Sequence, residues 1–155
     1  MIVVRISEPE DEQQLAALSS LVTDEIRRVY RPTESAVARK KKKSQSLTRL
    51  VALKRNRIIG TVQYGIEQDR LHIIGLMVHP DYRRLGAARE LIVAMNEIAR
   101  SRQLRALSLY TVEQTGNVPI FEKLGFVTIS RHEAVDFASE KYKSLTEFYM
   151  ERDLT

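Results

Sequence analysis

The chain has 155 residues, 43% of them hydrophobic, a formal net charge of +5 and no cysteine. That length suits one domain, spanning 1–155, with a real hydrophobic core, and zero cysteine excludes a disulfide framework, a thiolate metal site and a cysteine nucleophile. No apolar run reaches the length of a membrane span. The start, Met1-Ile-Val-Val-Arg-Ile6, lacks the apolar stretch and cleavage site of a signal peptide, so a cytoplasmic protein without a membrane partner is expected.

Val3 to Ile6 reads as a first strand. Ser7-Glu-Pro-Glu10 then predicts a helix start, with a Ser cap, a Glu three residues on and proline in the first turn. Leu15, Leu18, Val22 and Ile26 recur at helical spacing and should face the core. Arg31-Pro32-Thr33-Glu34 restarts the chain into a shorter helix ending in the basic run Arg39 to Lys43. From Leu50 the period changes. Leu50–Leu53, Ile58–Tyr64 and Leu71–Val78 read as three strands joined by the short polar links Lys54–Arg57 and Glu67–Arg70, as antiparallel hairpins require. Ala88, Ile92, Met95 and Ala99, flanked by Leu91 and Ile98, mark an amphipathic helix. Ala106–Thr111 is another strand. Val118–Leu124 is a short helix stopped by Gly125, and Phe126–Ser130 and Leu145–Met150 are the last strands, joined by a long charged connection. The order β-α-α-β-β-β-α-β-α-β-β predicts an α/β (α+β-like) fold with a mixed, mostly antiparallel sheet and helices on both faces.

The segment from Ile73 to Ile92 carries the most chemistry. A buried strand leads through Pro80 into a basic loop, then into small residues at Gly86, Ala87 and Ala88 where the helix begins. The backbone N–H groups of Arg84, Leu85, Gly86, Ala87, Ala88 and Arg89 can cluster there around an anion such as a pyrophosphate, and small residues let it come close.

The element order, with Val78-His-Pro-Asp-Tyr-Arg-Arg-Leu-Gly-Ala-Ala88 at its centre, resembles the GNAT superfamily of acyl-CoA-dependent N-acyltransferases. Arg83, Gly86 and Ala88 fill the family's signature of Arg or Gln, two residues, Gly, one residue, then Gly or Ala. Val78 and Pro80 keep its Val-x-Pro lead-in. A second signature, a short helix ending in Leu-Gly-Phe, is matched by Ile120-Phe-Glu-Lys-Leu-Gly-Phe126. The loop has neither the Gly-Lys-Ser/Thr of a P-loop nor the three glycines of a Rossmann turn, so metal-free pyrophosphate binding remains, and this suits coenzyme A. The resemblance implies a GNAT fold and acetyl-CoA as co-substrate, held in the cleft between the fourth and fifth predicted strands. Its pantetheine arm would lie along Leu76, Met77 and Val78 like an added strand.

Acetyl transfer to an amine needs a base for the ammonium proton and an acid for the leaving thiolate. Many family members carry that acid as a tyrosine four residues before the Gly of Leu-Gly-Phe; here the position is Phe121, which can pack against the cofactor but donates no proton. Tyr110 and Tyr149 are candidate substitutes, each also readable as an ordinary sheet residue. Gln114 or Asn117 would make the family's pantetheine contact, Asn117 serving equally well as the N-cap of the helix it precedes. Some members place a glutamate six residues before the Val of Val-x-Pro, where this chain has His72. His72 reads either as a base or as a hydrogen-bonded strand histidine, and alternation puts it on the face of Ile74, Leu76 and Val78 unless a bulge intervenes. Glu67 and Glu113 are rival bases, and His79 is expected on the surface of the turn.

The Arg39–Lys43 run has no aromatic residue among it to stack bases, so a solvated helix end is preferred over nucleic-acid binding. The expected function is acetyl transfer from acetyl-CoA to a small-molecule or peptide amine. An inactive acyl-CoA-binding sensor and a basic nucleic-acid-binding protein stand as alternatives, and a homodimer paired through an edge strand such as Leu145–Met150 is open.

Overall fold

A computed structural model describes residues 1–42 and 46–154, without the side chains of 40–42. Among them the strands are β1 (Val3–Ile6), β2 (Arg31–Pro32), β3 (Thr48–Lys54), β4 (Arg57–Glu67), β5 (Arg70–Val78), β6 (Ala106–Val112), β7 (Val127–Glu133), β8 (Phe137–Ala138) and β9 (Thr146–Asp153). The helices are α1 (Glu12–Arg27), α2 (Glu34–Lys42), α3 (Ala87–Ser101) and α4 (Val118–Lys123). Seven strands form one sheet in the order β1-β3-β4-β5-β6-β9-β7, antiparallel except for the β5/β6 pair.

Alternation along the strands divides two apolar layers. Leu50 and Ala52 of β3 pack with Ala87, Leu91, Ile92, Met95 and Ala99 of α3, joined by Phe121 and Leu124 from the α4 segment. Val51 and Leu53 face the other way, against Leu15, Leu18, Val22 and Ile26 of α1. Helices therefore cover both faces, as the pattern predicts. The β3/β4 hairpin closes through Arg55 and Asn56 at φ 51° and 64°, the primed-turn geometry that matches strand twist. No described helix is long and apolar enough to cross a membrane.

Several expectations need correction. Ser7 does not cap the first helix: it extends the β1/β3 ladder, its N–H bonding the Arg49 carbonyl (3.0 Å), and the N-cap position falls to Glu8. The chain instead turns at Pro9–Asp11, where the Asp11 carboxylate accepts the Glu8 N–H (2.8 Å) and two hydrogen bonds from Arg5 (2.7 and 2.9 Å). In α3 the buried small residue is Ala87 rather than Ala88, and it lies beside Gly60 of β4, where an added Cβ would stand 3.6 Å from the Ala87 Cβ and 3.2 Å from the Met77 carbonyl oxygen. Leu145–Met150 does not form an edge, since β9 lies between β6 and β7, and the exposed edges are β1 and β7. The charged connection and the Arg31–Pro32 restart hold an extra ribbon, β2 paired with β8. Its hydrophobic anchor is the packing of Tyr30 and Phe137 (ring centroids 4.7 Å apart) beside Val112, Ala134 and Leu145. In the basic run, Arg39 pairs with Asp136, while Lys43 lies outside the described residues.

The Arg5 hydrogen bonds, then the Glu8 N–H, hold the Asp11 carboxyl down to about 2. Its folded value is depressed, so its stabilisation is present above the unfolded value of about 3.9 and is lost as pH falls toward 2. Asp11→Asn should lower the urea midpoint at pH 7, and the gap from wild type should narrow progressively below about pH 4. An unchanged gap would refute the assignment.

Candidate functional site

The site grows from a break in the sheet. β5 and β6 pair in parallel only over Arg70–His72 and Ala106–Ser108. Beyond that row β6 stays with β9 through Val112, and Ile73–Val78 have no β6 partner. A bulge helps part the strands: between the pairs Thr61/Met77 and Gln63/Ile74, β5 carries two residues against one on β4. Gly75 sits in that bulge at φ +64°, a backbone region glycine enters without strain. The result is a wedge-shaped gap whose β5 wall has backbone groups free to pair with an added strand.

The bulge also changes which residues share a face. Leu76 and Val78 turn toward the α3 layer, and Met77 turns toward α1. His72 lies on the α1 side, so the predicted alignment of His72 with Leu76 and Val78 fails for the reason foreseen, a bulge.

At the top of β5, His79 caps a turn over Pro80–Tyr82 by accepting the Asp81 N–H on Nδ1 (3.1 Å), a structural task beyond the surface position expected of it. Arg84 and Gly86 adopt left-handed φ of 64° and 95°, and α3 starts at Ala87. The first backbone bond into the helix runs from the Glu90 N–H to the Gly86 carbonyl (2.9 Å), so the N–H groups of Gly86, Ala87, Ala88 and Arg89 precede any intrahelical partner. A Cβ at Gly86 would meet no atom within 4 Å, so the space above it is open. Leu85 is exposed beside it. The Arg83 guanidinium is engaged by Glu25 at the end of α1 (2.5 and 3.0 Å), which holds the Glu25 carboxyl below its usual range and ties α1 to the loop. These loop residues fit a pyrophosphate through backbone donors and the helix dipole, without metal ligands.

Of the remaining predicted contacts, the Gln114 side chain accepts the Thr146 N–H (3.0 Å) and so braces the start of β9. Asn117 occupies the N-cap position of α4, but its side chain makes no cap bond there. Phe121 packs edge-on against Phe126, with centroids 5.9 Å apart. Glu113 is exposed on the turn before α4.

The predicted acid and base candidates do converge. His72, 7% exposed, places Nδ1 2.8 Å from the Ser108 hydroxyl, and its ring meets the edge of Tyr110 (5.5 Å), which in turn lies 5.0 Å from Tyr149. The Tyr149 hydroxyl donates to Glu151 (2.6 Å), which stands opposite Ser108 in the β6/β9 register. Burial pushes the Glu151 carboxyl up, but Tyr149, Arg70 and Arg105 together outweigh it and keep it ionised below the usual range. An ionised carboxylate only accepts. Tyr149 therefore donates to Glu151, while the His72–Ser108 bond runs in the direction set by the imidazole tautomer. In the tautomer that donates Nδ1–H to Ser108, His72 Nε2 is the basic nitrogen. Burial holds the imidazole below its ordinary value against the opposing charge of Glu67, so it is neutral near pH 7. Burial, then the bond to Glu151, push the Tyr149 phenol up, whereas the Tyr110 side chain is exposed and its hydroxyl has no hydrogen-bond partner among the described residues. Ser108 and Glu151 were missed by the sequence reading. Both lie on the strand phase opposite the core residues Leu107, Leu109, Phe148 and Met150, and they meet only through the β6/β9 register, so no local signal marked them.

The family model described as acetyltransferase (GNAT) family matches residues 15–126. Among solved structures, smu.2055 from Streptococcus mutans resembles the chain with a TM-score of 0.77 at 19% identity, covering 99% of this chain and 99% of that one. A ribosomal-protein-alanine N-acetyltransferase from Brucella melitensis gives 0.70 at 17% identity, covering 97% and 99%. An aminoglycoside 6'-N-acetyltransferase complexed with coenzyme A gives 0.73 at 14% identity, covering 99% and 97%. At these identities the likeness is one of fold. No curated protein matches the chain at a comparable level.

Proposed function

The chain belongs to the acetyltransferase (GNAT) family, and from that premise we propose that it transfers the acetyl group of acetyl-CoA directly to a primary amine. The observation that carries this reading is the wedge between β5 and β6, open on one side to unpaired β5 backbone and ending at the free N–H groups of Gly86–Arg89. When bound, acetyl-CoA supplies an activated thioester. Leu76, Met77 and Val78 align it as an extra strand, and the loop backbone holds its pyrophosphate.

His72 Nε2 takes the proton from the acceptor nitrogen, in the tautomer whose Nδ1–H donates to Ser108. The new C–N bond forms as the thioester C–S bond breaks, and the thiolate sulfur receives a proton. Tyr110 supplies that proton better than Tyr149, whose own proton is committed to Glu151. Phe121 in place of the usual tyrosine supports a second reading, an acyl-CoA-binding sensor without chemistry.

The test is a melting curve with millimolar acetyl-CoA beside a thiol-release screen of amines. We expect a rise of several degrees, since a ligand at about 100 times its Kd adds about 2.7 kcal/mol. No rise would overturn the donor assignment. A rise with no thiol release from any amine would favour the sensor.

A further inference from the structure

A cleft of about 480 Å³ lies between the first half of α1 and the sheet, and Met77 of the proposed donor strand lines it together with Arg49, Ser19, Glu8 and Glu12. Arg49 belongs to the α1-facing row Arg49–Gln63–Ile74 across β3, β4 and β5, and the next row on that face is Gly65–His72. The cleft therefore opens on the side of the sheet that holds His72, next to the strand expected to carry the acetyl donor.

Arg49 is half-buried, and its guanidinium is held by a hydrogen bond to the Thr61 hydroxyl (3.1 Å). Thr61 is itself buried and donates to the Leu50 carbonyl (2.8 Å), so its oxygen is positioned to accept. No carboxylate pairs with Arg49 among the described residues, whereas Arg5, Arg70, Arg83 and Arg105 each have an acidic partner. Burial alone pulls its guanidinium below the usual value. A charged group removed from water, fixed in place and left without a counter-charge costs free energy that a ligand can recover. A guanidinium with free N–H groups facing a cleft matches a carboxylate, which it can bind with two parallel bonds. Glu8 and Glu12 stand exposed at the same cleft, so a polyanion is repelled and a single carboxylate beside a cationic amine is favoured.

We propose that Arg49 is the anchor of the acceptor site and that the acceptor is a small amine bearing one carboxylate, an amino acid or close derivative. This rests on the acetyl-transfer reading and narrows its acceptor.

The test compares the twenty common amino acids with their amides, by thiol release with acetyl-CoA and by calorimetry on CoA-saturated protein. At least one amino acid should bind and react with kcat/KM about tenfold or more above its amide, whose missing charge leaves Arg49 unpaired. Arg49→Gln should raise KM for that amino acid by about 30-fold or more, leave the amide unaffected and keep the acetyl-CoA melting shift, with Arg49→Lys intermediate. The inference is overturned if no amino acid binds or reacts, if amides do equally well, or if Arg49→Gln weakens both alike. Loss of the acetyl-CoA shift in wild type would strike the donor reading instead, so the two failures are separable.

Discussion

Gly86→Glu is expected to abolish the response to acetyl-CoA, weakening binding by about 100-fold or more and removing the melting shift. Two effects combine. The residue at 86 holds φ +95°, where any side chain other than hydrogen is strained by about 1–3 kcal/mol. The new carboxylate would also project into the open space above the loop, where backbone donors and the helix dipole favour negative charge from a ligand. Gly86→Ala separates these contributions. An added Cβ meets no protein atom within 4 Å, so alanine brings the strain with little bulk and no charge. It should lower the melting temperature of the free protein and keep most of the acetyl-CoA shift. Equal binding loss in both variants would assign Gly86 to loop conformation alone and remove the charge argument.

His72→Ala should lower kcat by about 100- to 10,000-fold while leaving the acetyl-CoA melting shift in place. The pH dependence distinguishes a base from a packing residue. In wild type, kcat/KM should rise with pH and level off above an inflection below the ordinary histidine value of about 6.5, because burial disfavours the imidazolium. As pH falls through that inflection, Nε2 takes up a proton and can no longer accept one from the amine. Stability carries the same sign. The unfolded chain protonates His72 first, so the folded state loses stability as pH falls from about 6.5 to the depressed value and loses none above it. Glu67→Gln removes the charge that opposes this shift and should move the inflection lower still. A wild-type profile without an inflection below 6.5, or a His72→Ala enzyme that keeps it, would remove His72 from the chemistry.

Much of this site was legible in the order of residues because its parts are local. A loop that presents backbone N–H groups at a helix start needs only contiguous features: the Pro80 turn, the glycine at 86 and an amphipathic helix after it. The hairpins were equally readable, since short polar links between apolar runs leave few alternatives. Ala87 shows the limit of such reading. It belongs to the run of small residues at the loop, yet it is buried beside Gly60 on a strand 27 positions earlier. Gln114 was placed at a pantetheine contact by spacing, but its amide braces the Thr146 backbone. The helix start at Ser7 failed because the β1/β3 ladder, a contact with residue 49, extends through it and the turn begins one residue later at Glu8.

The sequence by itself determined the family and the principal strands and helices, written in periodicities and contiguous motifs, but not the β2/β8 ribbon. Only the tertiary structure decided which residues share a face with His72, since a single bulge at Gly75 reverses the alternation beyond it. It also set Ser108 against the imidazole and opposite Glu151, 43 residues away, and set Arg49 against a cleft without a carboxylate partner among the described residues. These depend on strand register and on which charges remain unpaired after folding, and neither quantity exists until distant segments meet.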